Sequence, residues 1–230
     1  MNEHRIINPH EAKPESDYLE LERLSIKLGI PVPQVHLSVE VTKDGRIISS
    51  HRQRSRTTNR NYWNALLCMV TDTPGVVTDF GAGYLSFKQV NATVQAVTKA
   101  QQTWNGVGAI NNSIYGILLG IGTGAESFEG NALGTICANG TAANQLVYSA
   151  HSALAQSYNA GTKVWTITIK RICNNNSAAD IVVAETGLVW QNTSLGIYVM
   201  FCRDLLASTQ NVAVGAQVTV QYGVTLTFPA

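Results

Sequence analysis

The stretch Val218-Thr-Val-Gln-Tyr-Gly-Val-Thr-Leu-Thr-Phe228 decides the fold class of this 230-residue chain. Apolar side chains occupy every second position, and threonine, glutamine or glycine fills the positions between them. Successive side chains of a β-strand point to opposite faces, so this period of two predicts a strand with one packed face and one neutral polar face. One-sided alternation of this kind is typical of antiparallel sheets.

Segments before it predict further strands. Val164 to Cys173 alternates in the same way, Asn174 to Ser177 predicts a turn, and Ile181 to Trp190 predicts the returning strand. Gly196 to Cys202 is apolar on both faces, which indicates a central strand, and Tyr115 to Ile121 predicts another. Strands and helices do not alternate as a parallel sheet requires. We therefore predict a mainly β protein, an antiparallel β-sandwich of jelly-roll or Ig-like type.

The N-terminal part of the chain predicts a helix followed by a hairpin. Glu15 to Leu28 has helical periodicity, and Gly29 is placed to end the helix. Val35 to Val41 alternates, and Asp44-Gly45 favours a tight turn because both residues adopt positive φ. The helix carries a one-sided apolar stripe: Tyr18, Leu21, Leu24 and Leu28. A helix this short is marginal by itself, so we expect the stripe to pack against another surface.

A second short helix is predicted from Asn59 to Thr71. Its apolar residues Trp63, Leu66, Leu67 and Val70 lie on one side.

Charge is divided unevenly along the chain. Only 13% of the residues are charged, against about 25% in an ordinary soluble domain. Residues 1–60 hold 18 of the 31 charged side chains, and the remaining 170 residues use mostly Asn, Gln, Ser and Thr as polar groups. We predict a charged N-terminal assembly arm over 1–60 and a neutral β-sandwich body over 61–230. Deleting the arm is expected to abolish assembly and leave the body folded.

Several classes of protein are excluded by composition. The formal net charge of +1 gives no overall electrostatic footprint for nucleic acid or an anionic membrane. No apolar run reaches the roughly 18–20 residues that a membrane-spanning helix needs. Met1 to Pro14 lacks the apolar core of a signal peptide, so we expect no export. Four scattered cysteines form no CxxC pair, and we predict no metal, disulfide or cofactor.

The strongest charge feature is His51-Arg-Gln-Arg-Ser-Arg-Thr-Thr-Asn-Arg60. Alternating arginines on an extended strand project from one face, where they could neutralise successive phosphates or pair with acids of a neighbouring subunit. Overall neutrality favours a protein partner, and nucleic acid remains the alternative. The predicted assembly residues are Arg52, Arg54, Arg56, Arg60, Leu21, Leu24 and Leu28.

Signals for catalysis are weak. A dinucleotide loop at Gly120 to Gly124 would need a helix directly after it and an acid about 20 residues further on, and the sequence has neither, so we predict a turn. Glu126 and Glu129 are the acids that a glycosidase-type site would use, and His151 is the single histidine after residue 60. No serine-nucleophile or zinc motif accompanies them. We predict a protein that is not an enzyme.

Residues 115–228 resemble a C-terminal pattern in virion structural proteins of tailed bacteriophages. The motifs in chain order are Gly120-Ile-Gly-Thr-Gly124, Leu146-Val-Tyr148, Trp165-Thr-Ile-Thr-Ile-Lys-Arg171, Asn174-Asn-Asn-Ser177, Ile181-Val-Val-Ala-Glu-Thr-Gly-Leu188, Arg203-Asp204-Leu205 and Val214-Gly-Ala-Gln-Val-Thr-Val-Gln-Tyr222. The resemblance implies a β-sandwich building block of a tail, neck or head and carries over no catalytic residue.

It further implies a homo-multimer that contacts other virion proteins, is made in the host cytoplasm, and has no membrane partner. The alternative function is a glycan- or receptor-binding module on the particle surface. In that case Trp104, Tyr158 and Trp190 would stack on sugars from exposed loops.

Overall fold

The computed structural model describes residues 15–55, 58–70 and 85–228. The elements in chain order are α1 (Glu15–Leu28), β1 (Pro33–Lys43), β2 (Arg46–Arg54), α2 (Arg60–Val70), β3 (Leu85–Lys88), β4 (Val94–Val97), a short 3-10 helix (Lys99–Gln101), β5 (Trp104–Asn105), β6 (Gly116–Gly120), β7 (Val147–Tyr148), β8 (Ala155–Asn159), β9 (Val164–Asn174), β10 (Ile181–Asn192), β11 (Ile197–Val212) and β12 (Gln217–Thr227).

Two antiparallel sheets form the body. Sheet A has the order β2-β1-β12-β9-β7, and β8 also pairs with β9. Sheet B has the order β11-β10-β5, and β6 also pairs with β10. Strands β3 and β4 form a separate small hairpin. The predicted mainly β fold, with antiparallel sheets packed as a sandwich and two helices near the N-terminus, is confirmed.

The main core lies between the inner faces of the two sheets. Its largest contributions come from the alternating strands that the sequence marks: Leu37, Val39 and Val41 of β1, Val218, Val220 and Tyr222 of β12, Ile117, Leu118 and Leu119 of β6, and Val183 and Val189 of β10. The outward residues of β1 and β12 are polar and only half-buried, as their alternation predicts.

The β1–β2 hairpin is part of this sandwich. The Asp44-Gly45 turn adopts φ values of 50° and 75°, and β1 pairs with β12 from Pro33↔Leu226 to Thr42↔Gln217. A chain that begins at residue 61 would leave β12 without one neighbour and remove Leu37 and two further core residues. Residues 61–230 thus pack against the hairpin, and we expect the hairpin to be needed for the sandwich to fold.

Strand β11 lies at an edge of sheet B, and the prediction of a central strand over Gly196 to Cys202 is wrong. The strand is apolar on both faces because each face meets a different core. Met200 and Cys202 face the main core, whereas Val199 and Phe201 face a second cluster with α2 and the β3–β4 hairpin.

Helix α2 buries its small residues and exposes its large ones. Asn59 caps the helix by accepting a hydrogen bond from the Tyr62 amide at 3.3 Å, and its side-chain amide donates to the Met200 carbonyl at 2.5 Å. Ala65 and Cys68 pack inward, while Trp63, Leu66 and Leu67 are exposed.

Candidate functional site

Helix α1 ends as its sequence predicts. Gly29 has a φ of 68°, its amide donates to the Ile26 carbonyl at 3.3 Å, and the Ile30 amide donates to the Ser25 carbonyl at 3.0 Å. This pair of bonds is a Schellman motif, which favours glycine because of the left-handed conformation. The turn directs the chain from α1 into β1.

The face of α1 that meets sheet A is polar. Tyr18, Glu22 and Ser25 are its half-buried residues, at spacings of four and three that place them on one side. The Arg54 guanidinium lies 4.8 Å from the centre of the Tyr18 ring, and Gln34 donates a hydrogen bond to Glu22. The helix therefore contacts the sheet through polar groups at the start of β1 and the end of β2.

Three of the four residues of the predicted apolar stripe of α1 are left exposed by the part of the chain that the structure describes. Leu21, Leu24 and Leu28, named here the leucine stripe, are 45%, 37% and 64% exposed. Leu19 and Ile26, on the other flank of the polar contact, are exposed too. A short helix is normally stabilised by burying its apolar side, and here that side faces away from the sandwich.

Of the predicted arginines, Arg52 and Arg54 share one face of β2, and Arg60 lies apart from them on α2. Arg52 is exposed on the outer face of β2, and Arg54 on the same face bonds Gln34 at 2.8 Å in addition to covering Tyr18. Arg60 lies on α2, where it pairs with Glu129 at 2.9 Å. Arg56 lies outside the described residues. The structure thus brings Arg54 to α1 and separates Arg60 from it.

The inner face of sheet A extends beyond the part that sheet B covers. Along β12, Val218, Val220 and Tyr222 are fully buried, whereas Val224 and Leu226 are half-buried. Strand β9 shows the same gradient, from buried Cys173, Arg171 and Ile169 to half-buried Ile167 and exposed Trp165. The alternating apolar pattern continues here without an opposing sheet.

Three aromatic rings stand at the uncovered end, and we name them the aromatic shelf. Tyr158 of β8, Trp165 of β9 and Phe228 after β12 are 58%, 38% and 36% exposed and line an open cavity of about 370 Å³. Tyr158 pairs with Trp165 across the strands, and its ring lies edge-on to Phe228 at 6.3 Å. The other two aromatic residues proposed for sugar stacking, Trp104 and Trp190, pack against Phe201 at 5.4 Å each in the second cluster.

The leucine stripe and the aromatic shelf lie at the same end of sheet A. Pro33 pairs with Leu226, and Leu226 pairs with Trp165, so β1, β12 and β9 end there together. Gln34, which bonds α1, is the next residue along β1 and points to the outer face. One end of the molecule thus carries an uncovered apolar helix on its outer side and an uncovered aromatic surface on its inner side.

A buried ion pair joins three of the motifs that carry the resemblance. Glu185 is fully buried and accepts a hydrogen bond from Arg203 Nε at 2.6 Å. The same carboxylate accepts the amides of Gly122, Gly134 and Thr135 at 3.0, 3.1 and 2.9 Å. Arg203 then donates to the carbonyls of Gly124 and Ala125 at 2.8 and 3.0 Å. This set of contacts, named here the Glu185 network, fixes the segment Gly120 to Gly124 against β10 and β11.

Glycine is required at the two positions of the segment Gly120 to Gly124 that approach the Glu185 carboxylate. A Cβ atom at Gly122 would lie 2.4 Å from Glu185 Oε1, and one at Gly120 would lie 2.5 Å from the same oxygen. Both distances are far shorter than a van der Waals contact. The segment Gly120 to Gly124 leaves β6 as irregular backbone without the predicted turn, and its Gly122 amide donates to this internal carboxylate.

Arg171 is buried without a carboxylate partner. Its guanidinium lies 4.6 Å from the centre of the Tyr148 ring, and burial lowers its pKa from the ordinary value. All five of its N–H groups donate to backbone carbonyls at 2.5–3.2 Å, those of Ala109, Asn112, Tyr115, Ile117 and Ser149. Arg171 thus anchors the loop that precedes β6.

The groups considered for catalysis have structural partners. His151 accepts from the Ile117 amide at 2.8 Å, its other ring nitrogen contacts the Gly108 carbonyl at 3.1 Å, and burial lowers its pKa to about 4. Glu126 accepts the Leu205 amide at 2.6 Å, and Glu129 pairs with Arg60. Each contact joins two segments of the fold.

The part of the chain that the structure describes offers neither a metal-binding cluster nor a membrane-spanning helix. Histidine, cysteine, aspartate and glutamate do not gather there in groups of three that could hold a metal ion. None of the helices there combines the length and the apolar character needed to cross a membrane.

Sequence reasoning did not identify the aromatic shelf or the full role of Arg171. Trp165 and Phe228 were assigned to packed faces by alternation, and strand length alone does not show where an opposing sheet ends. Arg171 carries a readable signal, because it occupies an inward position between Ile169 and Cys173. A charge at such a position predicts a buried group with several hydrogen-bond partners.

No protein-family model, curated protein or solved structure matches this chain.

Proposed function

We propose that this chain is a non-enzymatic structural component of a bacteriophage virion, which assembles as a homo-multimer and contacts other tail, neck or capsid proteins. The virion assignment comes from the motif pattern of residues 115–228. The assembly role is supported by the geometry of the N-terminal helix.

The observation that carries the proposal is the uncovered leucine stripe. Helix α1 meets its own sheet through Tyr18 and Glu22, while Leu21, Leu24 and Leu28 are exposed. Exposed apolar surface that is grouped on one element is typical of a protein interface. The neutral polar surface of the body supports the same role, because symmetry copies without strong charge repel each other little.

The arginines support a protein partner for this region more than a nucleic acid. Arg54 and Arg60 bond groups of their own chain, Gln34 and Glu129, so neither guanidinium is presented as a free phosphate ligand. Arg52 is the exposed member of the predicted group. A DNA-binding titration against salt concentration tests this choice, and a steep fall of affinity with salt would favour phosphate contact.

The direct test of the virion assignment is mass spectrometry of purified particles, with the amount of this chain measured against the major capsid protein. We expect a fixed stoichiometric ratio that is a multiple of the particle's local symmetry. Absence of the chain from particles that are infectious and complete would overturn the assignment.

A second candidate function is supported by the aromatic shelf. Exposed rings such as Tyr158 and Trp165 can stack on sugar faces, so a glycan- or receptor-binding module is the alternative. A glycan array probed with the full chain and with Trp165→Ala tests it, and Ile110→Ala is the matched control because Ile110 is exposed elsewhere. Glycan binding that is lost in Trp165→Ala and retained in Ile110→Ala would support this function.

A further inference from the structure

We propose that the aromatic shelf of one copy binds the leucine stripe of helix α1 from a second copy. This inference rests on the proposed homo-multimer and names the two surfaces that would form its contact. Both surfaces are apolar and exposed, and both lie at the same end of sheet A.

The two surfaces match in size. The leucine stripe runs from Leu21 to Leu28, which spans about 10 Å at the helical rise of 1.5 Å per residue. The strands β8 and β12 that carry the shelf lie two strand spacings or about 10 Å apart, and the ring centres of Tyr158 and Phe228 approach to 6.3 Å above them. A single helix laid across these three strands would therefore cover the cavity between the rings.

The lining of the cavity favours an apolar occupant over a sugar. Its lining residues are three aromatic side chains, with Leu226 and Ile167 half-buried beside them. Ligand sites for polar molecules also need a few convergent hydrogen-bonding groups, and these lining residues supply little of that kind. Lys163, whose carbonyl accepts the Phe228 amide at 2.9 Å, carries a charge opposite to that of Asp17 of α1, whereas Glu20 is paired with Arg23 of its own helix at 2.6 Å.

The helix that fills the shelf must come from another copy. The α1 helix of the same chain is held on the outer face of sheet A by Arg54 and Gln34, whereas the shelf is on the inner face. Two copies related by a two-fold axis at this end could each place α1 on the partner's shelf. Such a contact uses one surface twice and closes without further subunits.

Paired cysteine variants test this contact. Leu24→Cys and Tyr158→Cys are produced in two chains that carry tags of different length, co-expressed, and oxidised under mild conditions. Native thiols compete little, because burial raises the pKa of Cys137 and Cys173 to about 12. We expect a disulfide-linked dimer that contains both tags, at several-fold higher yield than either variant gives alone.

Matched pairings separate the alternatives. Leu24→Cys alone reports a contact between two α1 helices, and Leu24→Cys with Leu67→Cys reports a contact with the exposed face of α2. A linked dimer that forms in one of these control pairings, and not in the pairing of Leu24→Cys with Tyr158→Cys, would overturn the inference. A different set of results would also overturn it: the multimer keeps its mass, no disulfide forms at the aromatic shelf, and Trp165→Ala abolishes glycan binding.

The failure of the inference is distinguishable from failure of the proposed function. If the chain is multimeric and no cross-link joins positions 24 and 158, the named contact is wrong and assembly through other surfaces stands. If the uncrosslinked chain is monomeric at every concentration, both proposals are overturned.

Discussion

Glu185 is a carboxylate that is fully buried and fully partnered. Its two oxygens accept three backbone amides and one guanidinium N–H. Charges are costly to bury unless they are paired and hydrogen-bonded, and this one satisfies both conditions. The Glu185 network thus holds the segment Gly120 to Gly124 against two strands of sheet B.

Removing the charge at Glu185 should destabilise the fold strongly. Glu185→Gln leaves the Arg203 guanidinium buried without its counterion, and breaking one partner of a buried pair costs about 3–5 kcal/mol. We expect a loss of about that size in the free energy of unfolding measured by urea denaturation.

Glu129→Gln is the matched control, because it breaks the more exposed pair with Arg60. That change should cost less than about 1 kcal/mol. Equal effects of the two substitutions would contradict the structural role of the Glu185 network.

His151 makes stability depend on pH. Its folded-state pKa of about 4 lies below the ordinary value of 6.5, so the native state favours the neutral ring. The unfolded chain binds the extra proton as the pH falls below 6.5, and stability is lost between pH 6.5 and 4. From the linkage relation we expect a loss of about 2 kcal/mol between pH 7 and pH 5.

Urea denaturation of the natural chain and of His151→Gln at both pH values checks this. The variant should be less stable at pH 7 and should lose the part of the pH dependence that His151 contributes. His36 and His51 are present in both proteins and cancel in the comparison. A pH dependence that is identical in the two proteins would contradict the assignment.

At the scale of single elements, α1 is an amphipathic helix in an unusual orientation. Its polar contacts, Tyr18 with Arg54 and Glu22 with Gln34, face the sheet, and its leucines face outward. Replacing Leu21, Leu24 and Leu28 by glutamine removes the apolar surface but retains good helix formers. We expect the multimer to dissociate while the circular dichroism spectrum and the thermal midpoint of the body stay unchanged.

The control for that variant is the double substitution Ile110→Gln and Ile114→Gln. Both isoleucines are exposed, but they lie in the loop before β6 and away from the shared end of sheet A. Their replacement should leave the molar mass measured by light scattering unchanged. Dissociation by the control alone would place the interface elsewhere.

Two deletions distinguish α1 from the hairpin that follows it. Removing residues 1–30 takes away α1 and leaves every described strand, so the sandwich should fold as a monomer. Removing residues 1–60 also takes away β1, which pairs with β12 over ten positions and buries Leu37, Val39 and Val41. We expect the shorter chain to be unfolded or aggregated, and a folded 61–230 chain would contradict the pairing of β1 with β12.

Much of the sandwich could be predicted from sequence because its strands alternate. Val164 to Cys173 and Ile181 to Trp190 fall in β9 and β10, and the predicted strand Val218 to Phe228 matches β12, which ends one residue earlier at Thr227. The position of β11 could not be predicted, because a strand between two cores has the same apolar pattern as a strand in mid-sheet.

The leucine stripe and the aromatic shelf were harder to predict, because the exposure of a side chain depends on where the packed sheet or helix opposite it ends. The periodicity of α1 identifies Tyr18, Leu21, Leu24 and Leu28 as one stripe, but it does not show that Arg54 covers Tyr18 while the three leucines are exposed. In the same way, alternation marks Trp165 as inward, and only its position at the end of β9 and its 38% exposure show that it lies outside the packed core.

At the scale of the whole molecule, polarity differs between the two ends of sheet A. The end at Val41, Val218 and Cys173 is closed by sheet B, whereas the end at Pro33, Leu226 and Trp165 is open and apolar. Four charged residues of the body, Arg171, Glu185, Arg203 and Asp204, are buried and serve internal contacts. An uncovered apolar end on a neutral sandwich is the basis for proposing that this chain functions by assembling.

The most direct test is the molar mass of the full-length chain, measured by light scattering after size-exclusion chromatography over a dilution series. The proposal predicts a discrete multimer whose mass is an integer multiple of 24.8 kDa and which falls to the monomer mass in the Leu21, Leu24 and Leu28 glutamine variant. A natural chain that remains at the monomer mass throughout the series, while folded, would contradict it.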